Sequence, residues 1–84
     1  MSDVSVTVYT REDCHLCEQA IGTIEQVADD EGIAVALDLV DVDEEPDLRE
    51  EYGERVPYVF IEGSPAFKYH VDERQLREKL QQSS

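Results

Sequence analysis

The spacing of apolar residues switches between every second position and every third or fourth, and this switching constrains the fold more than any other feature. Val4, Val6 and Val8 alternate with polar residues, which predicts a first strand. The next apolar residues recur at helical spacing up to Gly32, a residue type that often ends helices. They are Cys17, Ala20, Ile21, Ile24, Val27 and Ala28. The chain therefore opens with a strand and an amphipathic helix, which is expected to begin at the cysteine motif.

Five further elements are predicted: a second strand, a short helix, a hairpin of two strands and a last helix. The second strand is expected over Ile33 to Val42, and the short helix has Pro46 in its first turn and ends at Gly53. In the hairpin, strands over 58–61 and 66–70 flank a turn over 62–65. Asp72, with Gln75 three positions later, matches a capping box before the last helix.

The order βαβαββα predicts the overall architecture. Two strands that are each followed by a helix imply right-handed parallel crossovers, and the hairpin adds an antiparallel edge. We expect an α/β fold with a four-stranded mixed sheet and helices on both faces. With 84 residues, the chain is expected to form a single domain over residues 1–84.

Two sequence features bear on location. The longest strongly apolar run, Ile33 to Leu37, is far shorter than a membrane span requires. The N-terminal residues Met1-Ser2-Asp3 lack the basic and apolar regions of a signal peptide. We therefore expect a cytoplasmic protein with no membrane partner.

The formal net charge is −14, from 21 acidic and 7 basic residues. The few cations are scattered and form no basic face, which argues against nucleic acid as a partner. The acidity fits either a patch that steers a basic partner or a solvated surface. Acids occur along the whole chain, with nine of them among the seventeen residues from Asp38 to Glu54, which favours the solvated surface. Such a solvated acidic surface predicts a halophilic protein that is most stable at high ionic strength.

Cys14 and Cys17 are only three positions apart, too close for the disulfide scaffold of secreted proteins. Cysteine attacks as the thiolate, whereas a free thiol has a pKa of about 8.5. A helix that starts at Cys14 would stabilise its thiolate through unpaired N–H groups and the helix dipole. Cys17 would lie one turn deeper, within disulfide reach. We predict that Cys14 attacks a substrate disulfide and that Cys17 resolves the mixed disulfide.

A cysteine pair of this spacing can also serve other purposes. Zinc would require His15 and His70 as further ligands, but His15 lies inside the short loop and is poorly placed to share an ion with both sulfurs. His15 can instead carry partial positive charge beside the thiolate, and His70 is interpreted as a strand residue. No metal ligand is predicted. Two alternatives to a redox enzyme stay open: a carrier of an iron-sulfur cluster or metal, and a redox-inert adaptor whose sheet edge binds a partner.

Four segments together resemble the glutaredoxin-like branch of the thioredoxin superfamily. They are Val8-Tyr9-Thr10-Arg11, Cys14-His15-Leu16-Cys17, Arg55-Val56-Pro57-Tyr58 and Phe67 to Leu80. The resemblance implies a thioredoxin-like fold and a thiol-disulfide oxidoreductase that reduces protein or small mixed disulfides. It also implies that Pro57 is the family's cis-proline beside the active disulfide. Val56 would then present its backbone N–H and C=O to an extended substrate.

Glutaredoxins hold glutathione through a basic residue before the cysteine motif, the backbone of the Val-Pro pair, and a Gly-Gly turn followed by an acidic residue. Arg11 and Val56 resemble the first two of these groups. At the third, Tyr69-His70-Val71-Asp72 replaces a double glycine, which a closely approaching peptide backbone usually requires, but keeps the acidic Asp72. The predicted substrate-binding residues are Arg11, His15, Val56, Pro57 and Asp72. We expect a monomer without a resident cofactor, a disulfide-containing protein or a small-thiol compound as substrate, and a reductase or a small thiol such as glutathione as electron donor.

Overall fold

The computed structural model describes residues 3–53 and 56–83. The elements are β1 (Val4–Thr10), α1 (His15–Glu31), β2 (Val35–Asp41), a 3-10 turn (Val42–Glu44), α2 (Pro46–Tyr52), β3 (Tyr58–Ile61), β4 (Ser64–Lys68) and α3 (Glu73–Ser83). The predicted order βαβαββα is confirmed, with the 3-10 turn added. Arg55, which belongs to one of the resembling segments, lies outside the described residues, as do Met1, Ser2 and Ser84.

The four strands form one mixed sheet in the order β2-β1-β3-β4. Strand β1 pairs in parallel with β2 and antiparallel with β3, and β3 pairs antiparallel with β4. Because β1 is central, Val4, Val6 and Val8 are buried. The expected mixed sheet is therefore confirmed.

The hydrophobic core lies between one face of the sheet and helices α1 and α3. It contains Val4, Val6, Val8, Ala20, Ile24, Val27, Ala28, Val59, Ile61, Phe67, Val71, Leu76 and Leu80. Burial of such apolar side chains is worth about 1.5–3 kcal/mol for each large one. Arg77 of α3 also reaches the end of α1, where Nε lies 2.5 Å from Glu31 Oε1. No charged or polar residue within 3–53 or 56–83 is buried.

Four aromatic rings join α2 to the opposite face of the sheet. Tyr9 alternates with the core valines of β1, and its ring stacks on Tyr52 of α2 with centroids 4.6 Å apart. Phe60 meets Tyr9 edge-on at 5.4 Å and stacks on Tyr58 at 4.9 Å, and Tyr58 contacts Tyr52 at 5.5 Å. Helices therefore cover both faces, as expected.

The second strand starts at Val35 rather than at the predicted Ile33, because Ile33 takes part in the end of α1. Gly32 adopts the left-handed conformation with φ 64°, and Ile33 N–H donates to the Ala28 carbonyl at 2.9 Å. This closes the helix in the manner of a Schellman motif. At the other end, Val42 is fully buried in the 3-10 turn instead of extending the strand.

The hairpin turn is shorter than predicted. Only Glu62 and Gly63 form it, with φ values of 53° and 81°, as in the two-residue turns that favour glycine. Ser64 and Pro65 belong to β4, so their assignment to the turn was wrong. Proline is tolerated there because β4 is an edge strand. His70 lies beyond β4 and forms only an isolated bridge with Lys68, so the predicted strand over 66–70 extended too far.

Candidate active site

Cys14 and Cys17 are joined by a disulfide at the start of α1, with their Cα atoms 5.2 Å apart. Cys14 is the N-cap of the helix, and its Sγ accepts a hydrogen bond from Cys17 N–H at 3.2 Å. The sulfur therefore satisfies one of the backbone donors that a helix leaves unpaired at its N-terminus. This is the helix start that the sequence predicts.

The two cysteines differ in exposure. Cys17 is 1% exposed, whereas Cys14 is partly exposed. Asp13, in the left-handed conformation with φ 56°, brings the chain into Cys14. Cys14 can therefore be reached by a molecule in solution, whereas Cys17 is shielded from solvent. This arrangement would let an external thiol reach the disulfide at Cys14.

Pro57 lies at the same end of the sheet as the cysteines. Tyr58, which follows it, pairs with Tyr9 near the end of β1, and the loop to Cys14 leaves from that end. The Val56–Pro57 peptide bond is cis, as the resemblance implied. Pro57 is buried, and its carbonyl accepts a hydrogen bond from Tyr69 N–H at 2.8 Å. Val56 is partly exposed.

Arg11 is directed toward α2 and the 3-10 turn. Its Nη1 donates to the Gly53 carbonyl at 3.0 Å, and its Nε donates to Asp43 Oδ2 at 3.2 Å. These contacts use two of the five N–H donors of the guanidinium. The role predicted for Arg11, to favour the thiolate or a substrate carboxylate, stays a prediction.

The remaining predicted binding residues lie on the surface. The side chain of His15 is 91% exposed, and its Nδ1 lies 4.0 Å from Glu18 Oε2. Asp72 caps α3 by accepting a hydrogen bond from Gln75 N–H at 3.1 Å, which is half of the predicted capping box. Within 3–53 and 56–83, no three or more His, Cys, Asp or Glu side chains are grouped so as to hold a metal ion. No helix in the described chain is both long and apolar enough to cross a membrane.

Sequence reasoning missed a small groove beside the cysteine motif. Leu16, between the two cysteines, is 50% exposed, and Tyr69 is 44% exposed. They line a groove of about 70 Å³ between α1 and the segment before α3, together with Gln19, Ala20, Thr23, His70 and Val71. Leu16 could have been noticed, because it is a large apolar residue outside the buried stripe of α1. Tyr69 could not, because its left-handed φ of 69° is not encoded by residue type.

The mixed four-stranded sheet, the Cys-x-x-Cys pair at the first helix and the cis-proline before β3 define a thioredoxin-fold protein with a vicinal cysteine pair. The model of the family described as "Glutaredoxin-like domain (DUF836)" matches residues 5–81. The chain belongs to this glutaredoxin-like family.

Relatives and solved structures agree with this assignment. The uncharacterized protein Rv0508 of Mycobacterium tuberculosis is 28% identical over 87 residues, which cover all of this chain and 90% of the relative. The X-ray structure of protein XcR50 from X. campestris has a TM-score of 0.75 and 32% identity, covering 94% of this chain and 99% of that one. A mutant thioredoxin from Halobacterium salinarum has a TM-score of 0.62 and 26% identity, covering 98% of this chain and 75% of that one. Together with the cysteine pair, these similarities support a thiol redox role.

Proposed function

We propose that the protein is a thiol-disulfide oxidoreductase in which Cys14 is the nucleophile and Cys17 the resolving thiol. One observation carries the assignment: Cys14 is partly exposed at the N-terminus of α1, while Cys17 is 1% exposed and bonded to it. An attacking thiol must reach solvent, whereas a resolving thiol need only reach its partner. The asymmetry supports these two roles in this order.

The reaction starts from the dithiol. The Cys14 thiolate attacks one sulfur of a substrate disulfide, a Cys14–substrate disulfide forms, and the other substrate sulfur leaves as a thiolate that takes a proton from solvent. The Cys17 thiol then loses its proton and attacks Cys14 Sγ, which expels the second substrate thiolate. The substrate gains two electrons and two protons, and the Cys14–Cys17 disulfide remains. Two molecules of a small thiol such as glutathione, or the dithiol of a reductase, restore the Cys14 and Cys17 thiols. The first thiol attacks Cys14 and frees Cys17 as a thiolate, and the second attacks the resulting mixed disulfide, so that the two donor sulfurs leave joined as a disulfide.

The start of α1 favours the thiolate. Cys17 N–H already donates to Cys14 Sγ in the disulfide, and the same donor can stabilise a negative charge on that sulfur after reduction. The carboxylates of Glu12, Asp13 and Glu18 oppose this charge, but these residues are exposed and their effect is screened by solvent.

For the substrate, we propose an extended polypeptide with a disulfide and an apolar side chain beside it. Leu16 and Tyr69 offer exposed apolar surface in the groove next to the cysteines. Val56 is partly exposed just before β3, and we propose that its backbone N–H and C=O bind the extended segment by strand addition. Among the other predicted binding residues, we propose that His15 and Asp72 face the substrate. We also propose that the protein acts as a monomer in the cytoplasm, without a resident cofactor.

Reduction of insulin by Cys14→Ser and Cys17→Ser variants tests the roles. Cys14→Ser should lose all activity, because no nucleophile remains. Cys17→Ser should accumulate a mixed disulfide with substrate, visible on a non-reducing gel. Ala34→Ser adds a hydroxyl at an exposed site before β2 and serves as the control. Activity of Cys14→Ser equal to that of the wild type would overturn the proposal.

The substrate class has a separate test. Leu16→Ser should raise KM for insulin severalfold and leave kcat nearly unchanged, because it removes binding surface without touching a sulfur. The same variant should reduce a small mixed disulfide as fast as the wild type, which makes the small substrate an internal control. An equal loss of activity toward insulin and toward the small mixed disulfide would contradict a role of Leu16 in polypeptide binding.

A further inference from the structure

The two edges of the sheet are protected to different degrees. Edge strands expose unpaired backbone groups, and proteins commonly blunt them with proline, bulges or charges. Strand β4 contains Pro65, and its pairing with β3 is irregular between Val59 and Phe60. Strand β2 contains no proline and runs in unbroken register with β1 over seven residues. The β2 edge is therefore the one better suited to receive another strand.

The outward backbone groups of β2 belong to its more apolar residues. Val4 N–H donates to the Ala34 carbonyl, and Val4 pairs with Val35. In a parallel ladder, successive residues direct their N–H and C=O groups to opposite sides. The groups of Val35, Leu37 and Leu39 are therefore directed away from β1. A strand added at this edge would bond to these three residues.

Val35 and Leu37 line an apolar groove, and Leu39 lies next along the same face of β2. They pair with Val4, Val6 and Val8, so their side chains lie on the core face of the sheet, but Val35 and Leu37 are only half-buried and Leu39 is 50% exposed. The groove encloses about 350 Å³ between β2 and α1, and its apolar lining is Ile24, Ala28, Ile33, Val35 and Leu37. Apolar side chains of an added strand would enter it.

The charged side chains that line the groove are both acidic. Glu25 and Asp29 of α1 line its rim, and Asp38 is exposed on the other face of β2. Residues 12–48, which include all of α1 and β2, contain thirteen Asp and Glu and no Lys or Arg. A second copy would bring the same negative edge against this one, whereas a cationic segment would be attracted to it.

We propose that the β2 edge and this groove, formed by Val35–Leu39 and α1, dock an extended segment of a partner protein in which apolar and basic residues alternate. The segment adds as a strand beside β2. Its apolar side chains enter the groove, and its Lys or Arg side chains lie on the other face near Asp38. The negative charges of Glu25 and Asp29 beside the groove add to the attraction of the basic segment. This docking does not depend on the proposed thiol chemistry, so either proposal can fail without the other.

The probe is the capped heptapeptide Lys-Val-Lys-Val-Lys-Val-Lys, titrated into the full-length, 15N-labelled, oxidised protein. We expect saturable amide shifts concentrated in β2 and along the groove face of α1, and binding that weakens as salt is added. A peptide with Glu in place of Lys should not bind. Amide shifts spread evenly over the acidic surface would overturn the proposal. A dimer in sedimentation that Leu39→Pro converts to a monomer would also overturn it, because a second copy would then occupy the β2 edge.

Two neighbouring acids give a matched pair of variants. Asp29→Lys, on the rim, should weaken binding about fivefold or more, because it places like charges together. Asp30→Lys makes the same charge change at an exposed residue outside the groove lining and should have a much smaller effect. Equal weakening by the two variants would overturn the specific site.

Leu39→Pro removes an outward N–H and should abolish binding of the peptide. Retained binding by the folded variant would exclude strand addition.

Discussion

Arg11 Nη1 donates a hydrogen bond to the carbonyl oxygen of Gly53 across 3.0 Å, which joins the end of β1 to the C-terminal end of α2. Gly53 is the C-cap of that helix, where carbonyls lack partners within the helix and a cation is favourable. Arg11 also contacts Asp43, but both side chains of this ion pair are partly exposed, at 40% and 33%. Such pairs contribute about 0–1 kcal/mol. The bond to Gly53 is therefore the more important of the two.

Arg11→Gln should lower the free energy of unfolding by about 1–3 kcal/mol, because it leaves the carbonyl of buried Gly53 without its donor. Arg11→Lys should lower the free energy of unfolding less, because lysine keeps the charge although it lacks the planar set of donors. The measurement is urea denaturation followed by circular dichroism. Asp43→Asn is the control for the ion pair, and a larger loss there than in Arg11→Gln would reverse the ranking of the two contacts.

Tyr9 should be central to the packing of α2, because it stacks on Tyr52 and meets Phe60 edge-on. Tyr9→Ala should lower the free energy of unfolding by about 2–4 kcal/mol, whereas Tyr9→Phe keeps the ring and should have a small effect. The chain has four tyrosines and no tryptophan, and three of the tyrosines lie in this cluster. The near-ultraviolet circular dichroism should therefore collapse in Tyr9→Ala only. An unchanged spectrum in that variant would mean that the stack does not order α2.

The capping role of Cys14 can be separated from its chemistry. Cys14→Ser and Cys14→Ala both remove the disulfide, but only serine can accept the hydrogen bond from Cys17 N–H. Under reducing conditions, Cys14→Ser should be more stable than Cys14→Ala by about 1 kcal/mol, the usual difference at an N-cap. Thermal unfolding of the two variants side by side measures it. Equal melting temperatures would show that the cap contributes nothing to stability.

Salt should stabilise the folded chain. The net charge is −14, and no charged residue in the described ranges is buried, so the carboxylates repel one another through solvent, where ions screen them. The melting temperature should rise steeply as sodium chloride increases from about 0.01 M to about 0.5 M, the range in which the Debye length falls most. Sucrose at matched osmolality controls for solvent exclusion. A melt that does not respond to salt would contradict this expectation.

The parts of the fold that local chemistry determines were predicted from the sequence. The alternation of Val4, Val6 and Val8, the helix end at Gly32 and the cap at Asp72 each depend on residues a few positions apart, so residue type and spacing suffice. The cysteine pair at the start of α1 was predicted for the same reason. The hairpin was harder, because Pro65 resembles a turn residue until β4 is known to be an edge strand.

The contacts of the site that the sequence did not reveal are long-range. Arg11 meets partners 32 and 42 positions away, and nothing in the local sequence distinguishes this from a residue that faces a substrate. The groove beside the cysteines depends on the approach of the segment at Tyr69 to α1, and the left-handed backbone of Tyr69 is set by tertiary context, with its N–H bonded to Pro57. Such features follow from the assembled fold rather than from spacing.

The backbone amide of Cys17 reports on the state of Cys14 Sγ, because it donates the hydrogen bond that caps α1. Because Cys17 N–H points at Cys14 Sγ, its proton resonance must respond when that atom gains charge, loses it or bonds to a new group. A single cross-peak can therefore follow each change in the redox state of the cysteine pair in real time, with no dye attached and no residue replaced.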